Sequence, residues 1–205
     1  MIIWLASYPK SGNTWLRSLL STYFFSKDGN FKFDLLKHID QFPSYDHFKD
    51  HKEEFLNPTD TAKHWLQEQN KINADKKIRF FKTHSALCAI DGNRFTNPQN
   101  TLGAIYIIRD PRNVITSLAH HYQLNLEEAF EFMKTEKKAI IQKKAKSYVG
   151  FTALFSWTFH QKSWIDNKLY PTLVIRYEDL QDETFSTLKK VIKFINITTK
   201  SNKLF

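Results

Sequence analysis

The chain has 205 residues, of which 41% are hydrophobic and 25% charged, and this composition excludes a disordered protein. Its formal net charge of +9 favours anionic partners such as nucleic acid, a membrane surface or a small molecule with several phosphates, although a solvated lysine-rich surface explains the same excess. One cysteine, Cys88, excludes an intrachain disulfide, and no stretch approaches the roughly 18 apolar residues that a membrane span requires. We therefore expect a cytoplasmic protein with no membrane partner.

The first 25 residues predict a strand, a tight loop and a helix. An apolar run over 2–6 is typical of a buried strand, and apolar residues recur at helical spacing over 15–25. A glycine in the loop between them lets the backbone approach a ligand, and the N–H groups of a helix N-terminus attract anions. The loop therefore predicts a phosphate site whose donors are Lys10, Ser11, Gly12, Asn13 and Thr14.

This loop differs from the nucleoside triphosphate loop G-x-x-x-x-G-K-[ST]. It keeps Gly12 and Thr14, but it has Ser7 in place of the first glycine and Asn13 in place of the lysine. Its lysine lies earlier, at Lys10. We therefore expect it to hold a phosphate without the lysine and magnesium arrangement of ATP chemistry.

The octapeptide over 8–15, Tyr-Pro-Lys-Ser-Gly-Asn-Thr-Trp, resembles the 5′-phosphosulfate loop of the P-loop sulfotransferases, which use 3′-phosphoadenosine 5′-phosphosulfate (PAPS). An ordinary strand–turn–helix start is the alternative for this stretch alone. The resemblance runs from Ile2 to about Ile195. It implies one α/β domain over 1–205, of the P-loop three-layer type with a central parallel sheet flanked by helices, and the order of the predicted elements argues for the same fold. Residues 31–73 would form a helical insert near the acceptor pocket.

That insert is polar and aromatic and predicts short helices, one of them over 61–69. His47 and His51 lie four residues apart, a spacing at which two histidines on a helix can bind a metal. The sequence places no third ligand beside them, so an exposed helical face is the favoured interpretation.

A second strand is predicted over 78–84, and it ends in Lys82, Thr83 and His84. Ligands of parallel sheets bind at the carboxyl ends of strands, so these residues point to a site, although His84 alone would also suit a core or capping position. In the resembled family Lys-Thr-His carries the catalytic histidine. The family usually continues with Leu-Pro, whereas this chain has Ser85-Ala86, which implies a differently shaped pocket.

The clearest strand is the β-branched run over 102–108, which is followed by Arg109, Asp110 and Pro111. Proline suits the first turn of a helix and aspartate suits its cap. Arg109 and Ser117 match the family's 3′-phosphate segment, and a guanidinium can bind phosphate through two parallel hydrogen bonds. The alternative is that Arg109 pairs with Asp110 or another nearby acid.

The later stretches continue the alternation of helices and strands. Residues 127–146 are strongly charged and predict a solvated amphipathic helix, with a nucleic-acid patch as the minor alternative. Residues 150–165 predict a buried aromatic helix, and 184–195 predict a closing amphipathic helix. A strand over 171–177 ends in Tyr177, which resembles the family tyrosine that approaches the adenine.

The resemblance implies transfer of a sulfuryl group from PAPS to a hydroxyl or amine of a small-molecule acceptor. His84 would accept the acceptor's proton, while Lys10 and Lys82 would stabilise charge on the departing phosphate and the sulfuryl oxygens. Trp15 would stack near the adenine, and Ser117 would restrain the loop lysine. No metal is required, because lysines and N–H groups supply the positive charge. The implied catalytic residues are His84, Lys10, Lys82 and Ser117, and the implied cofactor-binding residues are Lys10, Ser11, Gly12, Asn13, Thr14, Trp15, Arg109, Ser117 and Tyr177.

The sequence departs from the family pattern near its end. Family members usually continue to a glycine-rich Arg-Lys-Gly segment that closes over the 3′-phosphate, whereas this chain has the segment 198–205 there. Lys200 and Lys203 are candidate substitutes; otherwise the lid is absent or comes from a partner. Two other functions stay open, a P-loop small-molecule kinase with Asp110 as its magnesium ligand and a non-catalytic nucleotide or RNA-binding protein. A homodimer also stays open, whereas nucleic acid is not the expected partner.

Overall fold

The computed structural model describes residues 1–51, 55–57, 59–144 and 147–201. Its strands are β1 (Ile2–Ser7), β2 (Asp40–Gln41), β3 (Arg79–Thr83), β4 (Ala89–Ile90), β5 (Asn93–Arg94), β6 (Thr101–Ile108), β7 (Ala139–Lys144), β8 (Ser147–Ala153) and β9 (Thr172–Arg176). Its α-helices are α1 (Asn13–Phe25), α2 (Tyr45–Phe48), α3 (Trp65–Asn73), α4 (Pro111–Tyr122), α5 (Leu126–Lys134), α6 (Trp157–Ile165), α7 (Tyr177–Asp182) and α8 (Thr184–Ser201), and 3₁₀ helices span Phe33–His38 and Asp60–His64.

Five parallel strands form the central sheet in the order β2-β3-β1-β6-β9. The central strand β1 is buried along its whole length because both of its faces are covered. Ile2, Trp4 and Ala6 belong to one hydrophobic cluster, whereas Ile3 and Leu5 belong to another. A strand covered on both faces reads as a continuous apolar run rather than an alternating one, which explains why the sequence predicted it correctly.

Helices cover both faces of this sheet and complete three layers. Leu16 of α1 and Val191 of α8 pack in the cluster on one face. Trp65 of α3 and Trp164 of α6 pack in the cluster on the other face. The predicted α/β class with a parallel sheet flanked by helices is therefore confirmed.

The prediction of a charged helix over 127–146 is wrong in its second half. Helix α5 ends at Lys134, and the next residue, Thr135, has an extended backbone. The segment Ala139–Lys144 then forms an antiparallel hairpin with β8, in which Ile140 pairs with Thr152. The β-branched residues at the start of this segment favour a strand over a helix. Lys146 lies outside the described residues.

The predicted buried helix over 150–165 is also too long. Its first residues belong to β8, and the helix begins only at Trp157, where the Ser156 hydroxyl accepts a hydrogen bond from the Phe159 N–H. A serine in the N-cap position therefore separates strand from helix within one aromatic-rich stretch.

The insert over 31–73 contains the short helices that were predicted, but it is not purely helical. Strand β2 lies within it and adds an edge to the sheet, with Gln41 beside Lys82 of β3. Within the described part of the chain, none of the helices combines the length and apolar character that crossing a bilayer demands.

Candidate functional site

A cavity of about 560 Å³ opens where β1, β3 and β6 end, at the carboxyl edge of the sheet. Ten of the eleven predicted site residues line it: Lys10, Gly12, Asn13, Thr14, Trp15, Lys82, His84, Arg109, Ser117 and Tyr177. The eleventh, Ser11, is almost fully buried, and its hydroxyl has no hydrogen-bond partner among the described residues. Loops that follow separate strands thus bring segments about a hundred residues apart in sequence into one site.

The loop after β1 presents a helix N-terminus to this cavity. Gly12 precedes α1 with a left-handed backbone (φ 95°, ψ 12°), and Lys10 is also left-handed (φ 66°). Within the described chain no side chain caps the first turn of α1, and that turn carries no acidic residue. The free N–H groups and the positive end of the helix dipole therefore favour an anion here.

Tyr177 packs directly on this loop. A Cβ atom on Gly12 would overlap Cδ2 of the Tyr177 ring and would lie 2.9 Å from Cε2, so only glycine fits without displacing the ring. Trp15 meets the same ring edge-to-face, with centroids 5.9 Å apart. The loop after β1 and the start of α7 are therefore held against each other.

Arg109 joins these elements. Its Nη1 donates a 2.7 Å hydrogen bond to the Lys10 carbonyl, and its guanidinium lies 4.2 Å from the centre of the Tyr177 ring. The alternative pairing of Arg109 with Asp110 is wrong, because Arg112 binds that carboxylate at 2.5 Å and shifts its pKa down to about 2. The guanidinium of Arg109 therefore lies against the loop that follows β1 and not on the Asp110 carboxylate.

His84 lies half-buried at the end of β3, beside the same loop. Its Nδ1 is 2.7 Å from the Ser7 carbonyl oxygen, and because a carbonyl can only accept, Nδ1 carries the proton. Nε2 is then the basic nitrogen. Burial, with a contribution from the Lys82 ammonium, lowers the pKa of His84 to about 3, so the ring is neutral at physiological pH.

Lys82 lies on the same strand, and its ammonium donates a 3.1 Å hydrogen bond to Oε1 of Gln41. Burial and the Arg17 charge lower the pKa of Lys82 to about 8. An anion in the cavity would favour the charged forms of both Lys82 and His84.

His160 holds the backbone of His84 through a hydrogen bond, and the sequence analysis did not predict a role for His160. Its Nε2 donates to the His84 carbonyl at 3.0 Å, which leaves Nδ1 to accept from the Tyr106 hydroxyl at 2.9 Å. The side chain is fully buried, and burial lowers its pKa to about 3. The aromatic stretch around it was the available signal, but it indicated only a core.

The far wall of the cavity comes from the insert, from the end of α4 and from the β7–β8 hairpin. The insert was expected near a pocket, but no signal in the sequence indicated the hairpin, because the residues of this wall share no motif. These lining residues are Gln41, Pro43, Ser44, His121, Tyr122, Ile140, Phe151 and Thr152.

The two histidines considered for a metal bond other partners in the described part of the chain. His47 bonds the Ser44 hydroxyl at 2.8 Å, whereas His51 bonds the Glu68 carboxylate at 2.8 Å. Among the residues that the structure describes, no group of three or more histidine, cysteine, aspartate or glutamate side chains is placed to hold a metal ion.

Known proteins share sequence with most of this chain. A sequence model of the family described as "Sulfotransferase domain" matches residues 2–204. The chain belongs to this sulfotransferase family. Luciferin sulfotransferase of Photinus pyralis is 26% identical over 206 aligned residues, which cover 98% of this chain and 52% of that protein. The 3-alpha-hydroxysteroid sulfotransferase of Cavia porcellus is 24% identical, with 92% of this chain and 56% of that protein covered.

The fold is also found among solved structures. The crystal structure of retinol dehydratase in a complex with retinol and PAP superposes with a TM-score of 0.54 at 18% identity, over 94% of this chain and 59% of that one. At this identity the likeness concerns the fold alone. The chain spans a little over half the length of the curated sulfotransferases described above.

Proposed function

We propose that this sulfotransferase-family chain moves a sulfuryl group from PAPS to a hydroxyl or amine of a small-molecule acceptor. The observation that carries the proposal is the contact of Arg109 with the Lys10 carbonyl. It brings together two groups of residues that would bind anions, one around Gly12 and one around Arg109, in a cavity that also contains the neutral imidazole of His84.

The residues present suit a nucleotide with a phosphate at each end of its ribose. N–H groups over 12–14 and the Lys10 ammonium would bind the 5′ side, and Arg109 with Ser117 would bind the 3′-phosphate. Arg109 lines the cavity, where its guanidinium would meet this anion. Trp15 and Tyr177 offer aromatic surface for the adenine. Bound PAPS would supply the sulfuryl group, and the ammonium group of Lys10 with the N–H groups of the loop would supply positive charge for the departing phosphate.

His84 is the proposed general base. Its Nε2 is unprotonated at neutral pH and would take the proton of the acceptor group as that group attacks. Lys10 and Lys82 would stabilise the negative charge that builds on oxygens around them, as preorganised cations do in a site partly closed to water. Ser117, which lines the same cavity, is the proposed restraint on the Lys10 ammonium.

The kinase alternative receives no support from the contacts. Asn13 occupies the position of the kinase lysine, and its amide donates to the Leu5 carbonyl at 2.9 Å instead of facing the cavity. Asp110, the candidate magnesium ligand, is bound by Arg112. In the ranges that the structure describes, no particular contact favours the RNA-binding alternative.

A thermal-shift titration with adenosine 3′,5′-bisphosphate (PAP) and with adenosine 5′-monophosphate tests the cofactor assignment. At about 100 times its Kd, a ligand stabilises the native state by about 2.7 kcal/mol, which for a chain of this size raises Tm by about 5–10 °C. PAP should give a larger shift than the monophosphate at equal concentration. Arg109→Ala should abolish that difference, because a charge-assisted phosphate contact contributes about 1.5–3 kcal/mol.

Arg112→Ala is the matched control, because it removes the same charge from an exposed side chain three residues away that binds Asp110. This variant should keep the difference between the two nucleotides. Transfer itself is checked with radiolabelled PAPS and a panel of phenols, alcohols and amines, with His84→Ala as the inactive comparison. Equal responses to both nucleotides in the unmodified protein, or full turnover by His84→Ala, would contradict the proposal.

A further inference from the structure

Asn13 lines the cavity, but its side chain turns away from it. The residue is 3% exposed, and its Nδ2 donates to the Leu5 carbonyl at 2.9 Å and to the Ser7 hydroxyl at 3.2 Å. A phosphate in the loop could meet the backbone N–H of Asn13, but the side-chain donor Nδ2 already bonds two residues of β1. Its role therefore differs from that of its exposed neighbour Thr14.

The residue that Asn13 holds is the one that orients the imidazole. Ser7 is fully buried, its carbonyl accepts the Nδ1 proton of His84 at 2.7 Å, and its hydroxyl lies 3.4 Å from the same nitrogen. Ser7 is the last residue of β1 and still pairs with Ile107 of β6, but the pairing with β3, the strand that leads to His84, ends at Ala6. The two bonds from Asn13 tie this strand end to the first turn of α1.

We propose that Asn13 is a positioning residue for His84. By fixing Ser7, it keeps the Ser7 carbonyl on Nδ1, so that the proton stays on Nδ1 and the lone pair of Nε2 is available in the cavity. The role of His84 as a base rests on the proposed function. The predicted tautomer of His84 does not, because it can be measured in the protein without substrate. A single side chain would then connect the anion-binding loop with the general base.

Two-bond ¹H–¹⁵N correlation NMR of the imidazole rings reads the tautomer directly, with His84→Gln identifying the His84 signals. The unmodified full chain should show His84 with its proton on Nδ1. Asn13→Ala should mix the two tautomers. It should also lower kcat by about three- to tenfold, which is the effect expected from losing the hydrogen bond to Ser7, while the KM for PAPS stays within about twofold. Thr14→Ala is the matched control one residue away, and it should weaken PAP binding without changing the His84 tautomer.

Several outcomes would overturn the proposal. One is an unmodified protein whose His84 proton lies on Nε2. Another is an Asn13→Ala protein that keeps the tautomer of the parent and loses PAP affinity, since Asn13 would then be a phosphate ligand. If Asn13→Ala does not fold, Ser7→Ala is the second test, because it removes one acceptor of the Asn13 amide and keeps the Ser7 carbonyl. It should shift the tautomer ratio of His84 in the same direction but by less. An unchanged ratio counts against the proposal. A parent protein with the Nδ1 tautomer and no transfer activity would refute the proposed function and leave this inference standing.

Discussion

Replacing Gly12 with alanine should damage both the fold and nucleotide binding. The left-handed backbone at this position (φ 95°) disfavours any residue with a Cβ by about 1–2 kcal/mol. The new methyl group would also collide with the Tyr177 ring, which would have to leave the Arg109 guanidinium and the edge of Trp15. Losing a cation–π contact and an aromatic contact adds about 1–2 kcal/mol. We expect the free energy of unfolding to fall by about 2–4 kcal/mol.

The assay combines thermal unfolding with calorimetric titration of PAP. For a chain of this length, about 2–4 kcal/mol lowers Tm by about 5–15 °C. PAP affinity should fall by at least about tenfold, because the ring that moves lies between the two proposed anion-binding groups. Gly29→Ala and Gly92→Ala are matched controls: both glycines have positive φ (73° and 80°), but nothing lies within 4 Å of a Cβ placed there.

These controls should lose only the backbone part of the stability, about 1–2 kcal/mol, and should bind PAP as the parent does. The reasoning is refuted if Gly12→Ala resembles Gly29→Ala in both Tm and PAP affinity. In that case the close packing of Tyr177 on the loop would not matter for either property.

Two further predictions concern histidines. Burial lowers the pKa of His160 to about 3 in the folded protein, against an ordinary value near 6.5. Below about pH 6.5 the unfolded chain therefore binds more protons than the folded one, so stability is lost as the pH falls. This residue alone should remove about 2 kcal/mol of the free energy of unfolding between pH 6.5 and pH 5. Urea midpoints at the two pH values check this, and a His160→Gln variant with the same acid sensitivity as the parent would contradict it. PAP should raise the pKa of His84, because its negative charge opposes the effects of burial and of the Lys82 charge, which lower that pKa. An NMR titration of His84 with and without PAP measures this shift. An unchanged or lower pKa would count against a nucleotide beside the ring.

Sequence reasoning succeeded where one residue type was required by one local geometry. The apolar runs of β1 and β6 predicted buried strands. Gly12 and Arg109, which follow these strands, were predicted to lie at neighbouring strand ends. It failed where the same pattern suits two structures. The charged stretch over 127–146 has apolar residues compatible with a helix, and only pairing with β8 decides that Ala139–Lys144 is a strand. Strand β2 has two residues, too few for any periodic signal.

Side-chain direction was the other quantity that the sequence could not supply. Asn13 was predicted as a phosphate ligand from its place in the loop, but its amide faces β1, where the Leu5 carbonyl is available. The partnership of His160 with His84 joins residues 76 positions apart, and no local pattern encodes it. The roles of the site residues themselves stay predictions until the nucleotide titrations are made.

The β7–β8 hairpin contributes Ile140 and Phe151 to the cavity without belonging to the central sheet. If the proposed function holds, substitutions on this wall could alter which acceptor fits while the parallel strands and the nucleotide loop keep their register. Related proteins could thus come to use different acceptors through a few substitutions in this hairpin, while the residues that bind PAPS stay the same. Directed evolution toward new acceptors should therefore begin with the hairpin residues.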